Sequence, residues 1–276
     1  MVTLICPVRP CGSPLERRDR VLICSRGHSF DIARSGYCNL LQPQDRRSRR
    51  PGDSRETAAA RRRFLAGCGE PLLRAILQEI RALAQARDTA ILDVGCGEGF
   101  HLGGIAREAA VEAHGLDLSA AAIELAARRY PAATWVVANA DRFLPYAEGS
   151  FGLILSVDAR LNPAEMRRVL ASEGRLLVAL PGPDDLVELR AAVLGEGTLR
   201  GRLERTAASL SSHFEIEALR TVRQTSRLDP DAIRDALAAT YRGGRESRRL
   251  RIEALGEMEV TLSHDIARFK GKISPS

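Results

Sequence analysis

Long apolar runs are missing from this 276-residue chain. No window approaches the roughly 18 consecutive apolar residues that a membrane-spanning helix needs, so a span of that kind is excluded. The opening residues, MVTLICPVRPCG, lack the charged-then-apolar layout of a secretory leader. Cysteine is sparse, six residues in all, too few for a disulfide scaffold and suited to a reducing compartment. These absences predict a soluble cytoplasmic protein with no membrane partner. Lysine is nearly absent, occurring only as Lys270 and Lys272, so the positive charge is carried by arginine. What remains is 45% hydrophobic and 28% charged residues, enough for one large domain plus a small appendage.

The charge is unevenly placed. Residues 1–63 hold 14 Arg against 6 Asp or Glu, a balance of +8, whereas the other 213 residues hold 27 basic and 29 acidic groups, a balance of −2. The net +6 of the whole chain therefore comes from its first quarter. A basic module beside a near-neutral body is the electrostatic footprint of nucleic-acid binding, although a merely solvated basic face leaves the same trace.

Texture divides the chain into three parts: 1–42, 43–85 and 86–276. Residues 1–42 carry four cysteines, turn residues and the short apolar runs Val21–Cys24 and Tyr37–Leu41. Residues 43–53 are polar, basic and punctuated by Pro and Gly, as a linker or exposed loop would be. Asp53 or Ser54 can cap a helix, and Leu72, Leu73, Ile76, Leu77, Ile80 and Leu83 then form a stripe at helical spacing. From Thr89 short buried strands alternate with helices. Strands are expected at Ala90–Val94, Ala113–Leu116, Thr134–Val137, Phe151–Ser156 and Arg175–Leu180. Helices are expected at His101–Ala110, Ala120–Tyr130, Pro163–Leu170 and Asp184–Leu194. Strands at Glu215–Arg223 and Glu257–Ala267 with a helix near Asp231–Thr240 complete the tail. The alternation predicts an α/β fold on a doubly wound, mostly parallel sheet.

The segment ILDVGCGEGF (91–100) ends a buried strand and opens a helix. Gly95, Gly97 and Gly99 allow a tight turn and a close backbone approach to a ligand. The spacing is D-x-G-x-G-x-G from Asp93, not the G-x-G-x-x-G of dinucleotide binders. Asp117 closes the next strand, where a carboxylate can take both hydroxyls of a ribose. A turn that serves only helix–sheet packing is the alternative. The pair resembles the first two motifs of class I S-adenosylmethionine-dependent methyltransferases. That resemblance implies that Gly95, Gly97 and Glu98 line the methionine and sugar, that Asp117 binds the ribose, and that Asn139 stands at the adenine edge.

Cys6-x4-Cys11 followed by Cys24-x3-His28 offers three thiolates and an imidazole on two turns, a donor set that suits tetrahedral zinc. A module of this size cannot bury enough core to fold unaided, so a metal would supply its stability. Ordinary buried cysteines beside a surface histidine are the alternative. Cys38, Cys68 and Cys96 have no partner at ligand spacing and read as small core residues.

The segments GHSFDIARSGYCNLL (27–41), RRSRRPGDS (46–54), AARRRFL (59–65), Asp93–Gly99 and LPGP (180–183) together resemble the bacterial 23S rRNA guanine-N1-methyltransferases. The resemblance implies a Rossmann-like class I methyltransferase domain behind a small N-terminal zinc module. Its implied cofactors are S-adenosylmethionine and Zn2+, its partner is 23S rRNA, and its target is a guanine in a hairpin of the peptide exit tunnel. A homodimer is one option that the sequence leaves open. It implies too that Cys6, Cys11, Cys24 and His28 bind zinc and that the module helps recognise RNA. The chain departs from the family pattern at four places. The first cysteine pair is C-x4-C rather than C-x2-C. Gly69 stands where an aromatic contacts the cofactor, and Asp185 or Asp184 stands in place of a histidine after the Pro-Gly-Pro turn. SVDAR (156–160) replaces an aromatic-Ala-Pro loop that faces the target base.

Guanine N1 must lose its proton to attack a sulfonium methyl group, so in-line positioning and a nearby carboxylate are the contributions to look for. Asp158, just past the fourth strand of the α/β repeat, is the candidate acceptor; a helix cap or an ion pair with Arg160 is the alternative. Arg46, Arg47, Arg49 and Arg50 are candidate phosphate contacts, which position RNA without reading it. A flipped base stacks on aromatics, and among the 4% available Phe100, Tyr146 and Tyr241 are the candidates. Two other functions fit parts of the pattern: a small-molecule methyltransferase with a structural zinc knuckle, and an RNA-binding relative that has lost turnover.

Overall fold

Turn chemistry and short alternating runs build the N-terminal module. In the computed structural model, which describes residues 2–46, 51–83, 90–195, 199, 201–240 and 255–272, β1 (Leu15–Arg18), β2 (Val21–Cys24) and β3 (Ser29–Asp31) form a three-stranded antiparallel sheet. Leu22 and Cys24 face inward from β2 while Val21 and Ile23 stay half-covered, the period-2 signature of a strand with one buried face. The next strand, β4 (Cys38–Asn39), does not join this sheet. It pairs in parallel with the large sheet that follows, Cys38 opposite Val136 and Asn39 opposite Val137. A bridge between Leu4 and Tyr146 adds a second attachment. Cys6, Leu15, Leu22 and Cys24 consequently share one apolar core with Tyr146 and Phe151.

Two helices connect the module to the rest. α1 (Arg55–Cys68) starts at Ser54, whose hydroxyl accepts the Thr57 N–H at 3.1 Å, and ends at Gly69. Gly69 is also the N-cap of α2 (Glu70–Ala82), with Pro71 in its first turn, where a missing N–H costs nothing. The stripe foreseen in the sequence is the buried face of α2, which covers Leu72, Leu73, Ile76, Leu77 and Ile80. Each of these side chains contributes about 1.5–3 kcal/mol on burial.

The remaining elements are β5 (Ile91–Val94), α3 (Phe100–Glu108), β6 (Ala113–Asp117), α4 (Ala120–Arg129), β7 (Thr134–Val137), β8 (Phe151–Val157), α5 (Pro163–Val169), β9 (Leu170–Pro181), α6 (Val187–Leu194), α7 (Leu203–Leu210), β10 (Phe214–Leu228), α8 (Pro230–Thr240) and β11 (Met258–Gly271). The eight-stranded sheet runs β10-β11-β9-β8-β5-β6-β7-β4. Strands β4 through β9 pair in parallel, and β11 and β10 close one side antiparallel. The expected doubly wound, mostly parallel sheet is thus present. The chain winds outward from β5 through β6 to β7 and then returns to the other flank of β5 as β8. That reversal opens a crevice at the carboxyl ends of β5 and β8, where sheets of this kind receive ligands.

Several boundaries differ from the sequence reading. α6 begins at Val187 rather than Asp184, because Leu186 is left-handed (φ 50°) and the Asp184 and Asp185 carboxylates bond Ser263 instead of the helix. β9 begins at Leu170, directly after α5, and β10 and β11 extend well beyond their expected cores because they pair along almost their whole lengths. The helix α7 has no counterpart in the sequence reading.

Candidate active site and metal centre

Cys6, Cys11, Cys24 and His28 come together at one end of the N-terminal module, with all four ligand atoms within 4.8 Å of one another. The His28 Nδ1 lies 3.5 Å from the Cys6 Sγ and 3.4 Å from the Cys24 Sγ, and the Cys11 and Cys24 sulfurs are 3.8 Å apart. Zinc–sulfur and zinc–nitrogen bonds of ordinary length make a tetrahedron with edges of about 3.4–3.8 Å, so the cluster fits the ion. Each ligand pair sits on its own turn: Cys11 N–H donates to the Val8 carbonyl, and Gly27 N–H donates to the Cys24 carbonyl. The two extra residues between Cys6 and Cys11 are absorbed in the first turn.

A cavity of about 740 Å³ occupies the crevice at the carboxyl ends of β5 and β8. Its floor is the glycine loop, in which Gly95, Gly97 and Gly99 all take positive φ (78°, 56° and 81°). A Cβ on Gly95 would lie 2.3 Å from the Ala159 Cβ, and one on Gly99 would lie 2.6 Å from the Trp135 ring. Both positions therefore need glycine for space as well as for conformation. Asp117, at the end of β6, holds the loop: one carboxylate oxygen accepts the Gly97 N–H at 3.0 Å and the other accepts the Ser119 N–H at 2.7 Å.

The cavity collects acidic side chains. Asp93 Oδ1 and Glu98 Oε2 are buried without a hydrogen-bond partner among the described residues. Burial, reinforced by Asp117 and Glu98, pushes the Asp93 carboxyl up to about 8. Burial likewise pushes Glu98 up to about 7, against the pull of Arg62 and Arg61. Orphaned carboxyl oxygens in a buried cradle suit a ligand that brings donors and positive charge. The sulfonium and ammonium groups of S-adenosylmethionine supply both.

The candidate site residues that fall among the described residues each have a definite place. Asn139 lines the cavity and donates from Nδ2 to the Asp45 carbonyl at 2.8 Å. Gly69 also lines it, and a Cβ there would lie 2.7 Å from the Phe100 ring, so Phe100 occupies the volume that a larger residue at Gly69 would need. Asp185 lies at the cavity wall, where its Oδ1 accepts the Ser263 N–H at 3.0 Å. Asp158 stands at the carboxyl end of β8 in a left-handed conformation (φ 54°), with its N–H held by the Ala179 carbonyl. Its partner is not Arg160, which pairs with Asp141, but His264, whose Nε2 is 3.3 Å from Asp158 Oδ2. Tyr146 does not belong with the site: it is fully buried and packs edge-on against Phe151 with centroids 4.9 Å apart. Arg47, Arg49, Arg50 and Tyr241 lie outside the described residues; Arg46 is exposed.

Three residues near the cavity, Ser119, His101 and His264, were given no role from the sequence, and a fourth, Asp53, was read only as a helix cap. The Asp53 carbonyl accepts from the Ser119 hydroxyl at 2.6 Å and its carboxylate accepts from Arg61 at 2.7 Å, seating residues 51–53 on the cavity rim. Ser119 also caps α4. His101 in the first turn of α3 and His264 in β11 both line the cavity. A Ser-x-x-x start to α4 was visible in the sequence, but no local spacing ties either histidine to the glycine loop.

Residues 91–179 match a family model described as a methyltransferase domain, and residues 4–49 match one described as the N-terminal part of RlmA. The chain is 38% identical over 269 residues to the 23S rRNA (guanine(748)-N(1))-methyltransferase of Streptomyces fradiae, covering 94% of each chain. It is also 38% identical to a protein of Micromonospora griseorubida provisionally named as a 23S rRNA guanine-N1-methyltransferase, over 82% of this chain and 81% of that one. Among solved structures, a provisionally assigned methyltransferase from Bacillus halodurans superposes with a TM-score of 0.51 at 16% identity, covering 71% of this chain and 96% of that one, a likeness of fold.

Proposed function

The chain belongs to the 23S rRNA (guanine-N1)-methyltransferase family, and from that premise we propose that it transfers a methyl group from S-adenosylmethionine to N1 of a guanine in 23S rRNA. Its cofactors are S-adenosylmethionine and zinc. When bound, S-adenosylmethionine supplies an electrophilic methyl group, so no metal is needed at the reacting atoms. Zinc belongs to the N-terminal module, held by Cys6, Cys11, Cys24 and His28.

One observation carries the reading. The described residues on either side of the basic run are both anchored near the cavity: Asn139, which lines it, donates to the Asp45 carbonyl, and Ser119 donates to the carbonyl of Asp53, which lines it too. The chain between those anchors contains Arg46, Arg47, Arg49 and Arg50. Phosphate contacts from these arginines would position RNA without reading its sequence, next in the chain to residues that line the cavity.

The protein's own groups then divide the work. Asp117 and the glycine loop bind and orient the cofactor, and Asp93 and Glu98 complement its positive charge. The target guanine leaves its stack and turns its Watson–Crick edge inward, with Phe100 as the aromatic surface at hand. The guanine N1 proton leaves toward the end of the cavity where Asp158, Asp185 and His264 converge. A hairpin of the peptide exit tunnel as target, a cytoplasmic setting and a homodimer belong to the same reading. No helix among the described residues is long and apolar enough to cross a membrane.

The test is incubation of the full chain with S-adenosylmethionine and protein-free 23S rRNA, followed by primer extension. A methyl on N1 blocks Watson–Crick pairing, so a new stop one nucleotide before a guanine is expected, and its position names the target. No stop from protein that binds S-adenosylhomocysteine would overturn the reading in favour of a small-molecule methyltransferase or an inactive relative.

A further inference from the structure

Four titratable side chains from four separate elements meet at the end of the cavity beyond the glycine loop. They are His101 from α3, Asp158 from the end of β8, Asp185 from the turn after β9 and His264 from β11. Backbone geometry fixes this end of the site. Asp158 is held left-handed by the bond from its N–H to Ala179, and Asp185 is tied to the Ser263 N–H. A non-glycine residue at positive φ is a local cost that a fold retains where a side chain must be aimed. The aim here is the imidazole of His264, 3.3 Å from Asp158.

We propose that His264 is the catalytic base that accepts the proton of guanine N1, and that Asp158 is its positioning residue. The inference rests on the guanine-N1 reading above. In the tautomer that donates to Asp158, Nε2 carries the ring proton toward the carboxylate. This leaves Nδ1 as a bare acceptor, and it has no hydrogen-bond partner among the described residues. In the transfer, N1 gives its proton to His264 Nδ1 and its electron pair forms the bond to the methyl carbon. The carbon–sulfur bond breaks with its pair left on sulfur. The positive charge that began on sulfur ends on the imidazolium, where Asp158 stabilises it.

An imidazole is the better match to this task than the carboxylate alone, because a base works best when its affinity for the proton approaches that of the group it serves. The surroundings tune it in that direction. Burial disfavours the imidazolium of His264, but the hydrogen bond and charge of Asp158, with the charges of Asp185 and Asp265, outweigh burial and raise its pKa. Among the other charged groups around it, Asp184 is tied to Arg223 of β10 and to Ser263, and Arg190 of α6 lies near Asp185. His101 is buried, with Nε2 unpartnered among the described residues, and burial pushes it down to about 4, so it stays neutral and does not compete for the proton.

The test compares single-turnover methylation of 23S rRNA by the full-length wild type, His264→Ala and Asp158→Asn across pH. S-adenosylhomocysteine affinity serves as the control for folding. In the wild type the rate should rise through the raised His264 pKa and then level. His264→Ala should lose about 10²- to 10⁴-fold. Its remaining rate should keep climbing into the alkaline range where guanine N1 ionises by itself, and added imidazole should restore part of the loss. Asp158→Asn should move the acid limb to lower pH, because the carboxylate that raises the histidine is gone. A His264→Ala enzyme that keeps the wild-type rate and acid limb overturns the assignment while leaving the function intact. A wild type with no rRNA methylation overturns both. If His264→Ala fails to bind cofactor, an unmoved acid limb in Asp158→Asn is by itself enough to overturn it.

Discussion

Replacing Asp117 with alanine should weaken cofactor binding by about two orders of magnitude without unfolding the protein. The carboxylate is the acceptor for two backbone donors, Gly97 N–H at 3.0 Å and Ser119 N–H at 2.7 Å. Hydrogen bonds to a charged acceptor contribute about 1.5–3 kcal/mol each. Losing both leaves two N–H groups unpaired beside a buried site and frees a loop whose three glycines have little conformational preference of their own. At the low end the lost bonds are worth about 3 kcal/mol; because they also exist without cofactor, this reaches the dissociation constant as the cost of re-ordering the freed loop on binding, at most roughly 150-fold. Any bond from Asp117 to the ribose adds to that. Asp117→Asn should fall between, since its amide keeps one acceptor but turns a donor toward the other N–H. Calorimetric titration with S-adenosylhomocysteine measures the effect, and thermal unfolding shows whether the fold persists. Binding within about fivefold of wild type would contradict the claim that Asp117 organises the loop.

Cofactor binding should also release protons. Asp93 and Glu98 are lifted to about 8 and about 7, chiefly by burial, so both hold protons near neutrality until a cationic ligand favours their ionised forms. At pH 7 Asp93 is then about nine-tenths and Glu98 about half protonated, so calorimetry in buffers of different ionisation heat should show release of up to about 1.4 protons per ligand, fading above about pH 9 where both are already ionised; no buffer dependence would refute the charge argument. Gly95→Ala should cost more than tenfold in the same titration, because a left-handed alanine is strained by about 1–2 kcal/mol and its Cβ meets Ala159 at 2.3 Å. Adding Ala159→Gly should recover part of that loss, and no recovery would show that the contact is not the cause. Chelation of zinc, which in small zinc modules supplies on the order of 10 kcal/mol of folding energy, should expose residues 2–42 to protease and abolish tight rRNA binding. S-adenosylhomocysteine binding should survive, since the cavity is framed mainly by the large sheet. Loss of both, or of neither, would refute that division.

What could be read from the sequence was what lies close together along the chain. The glycine loop with its flanking strand and helix, Asp117 one strand later, the α2 stripe and the two ligand pairs of the metal cluster each have a local spacing that names them. What could not be read depends on closure of the sheet. Asp158 and His264 are 106 residues apart and meet because β11 inserts between β9 and β10. Asp53 and Ser119 are 66 apart, joined by a linker whose composition spoke only of exposure. The two-residue β4 is too short to carry any period, although it ties the basic module to the sheet. Much of β10 is exposed and rich in arginine and glutamate, so only part of it read as strand. Tyr146 shows the reverse error: an aromatic near a motif in sequence that serves the core.

The most direct test of the central claim is the chemical identity of the product. After reaction with methyl-labelled S-adenosylmethionine, 23S rRNA is digested to nucleosides and the labelled species is identified by chromatography and mass spectrometry. Label is expected in 1-methylguanosine alone, and is lost in the Asp117→Ala protein. Label in a guanosine methylated elsewhere, in another nucleoside, or in no nucleoside would contradict it.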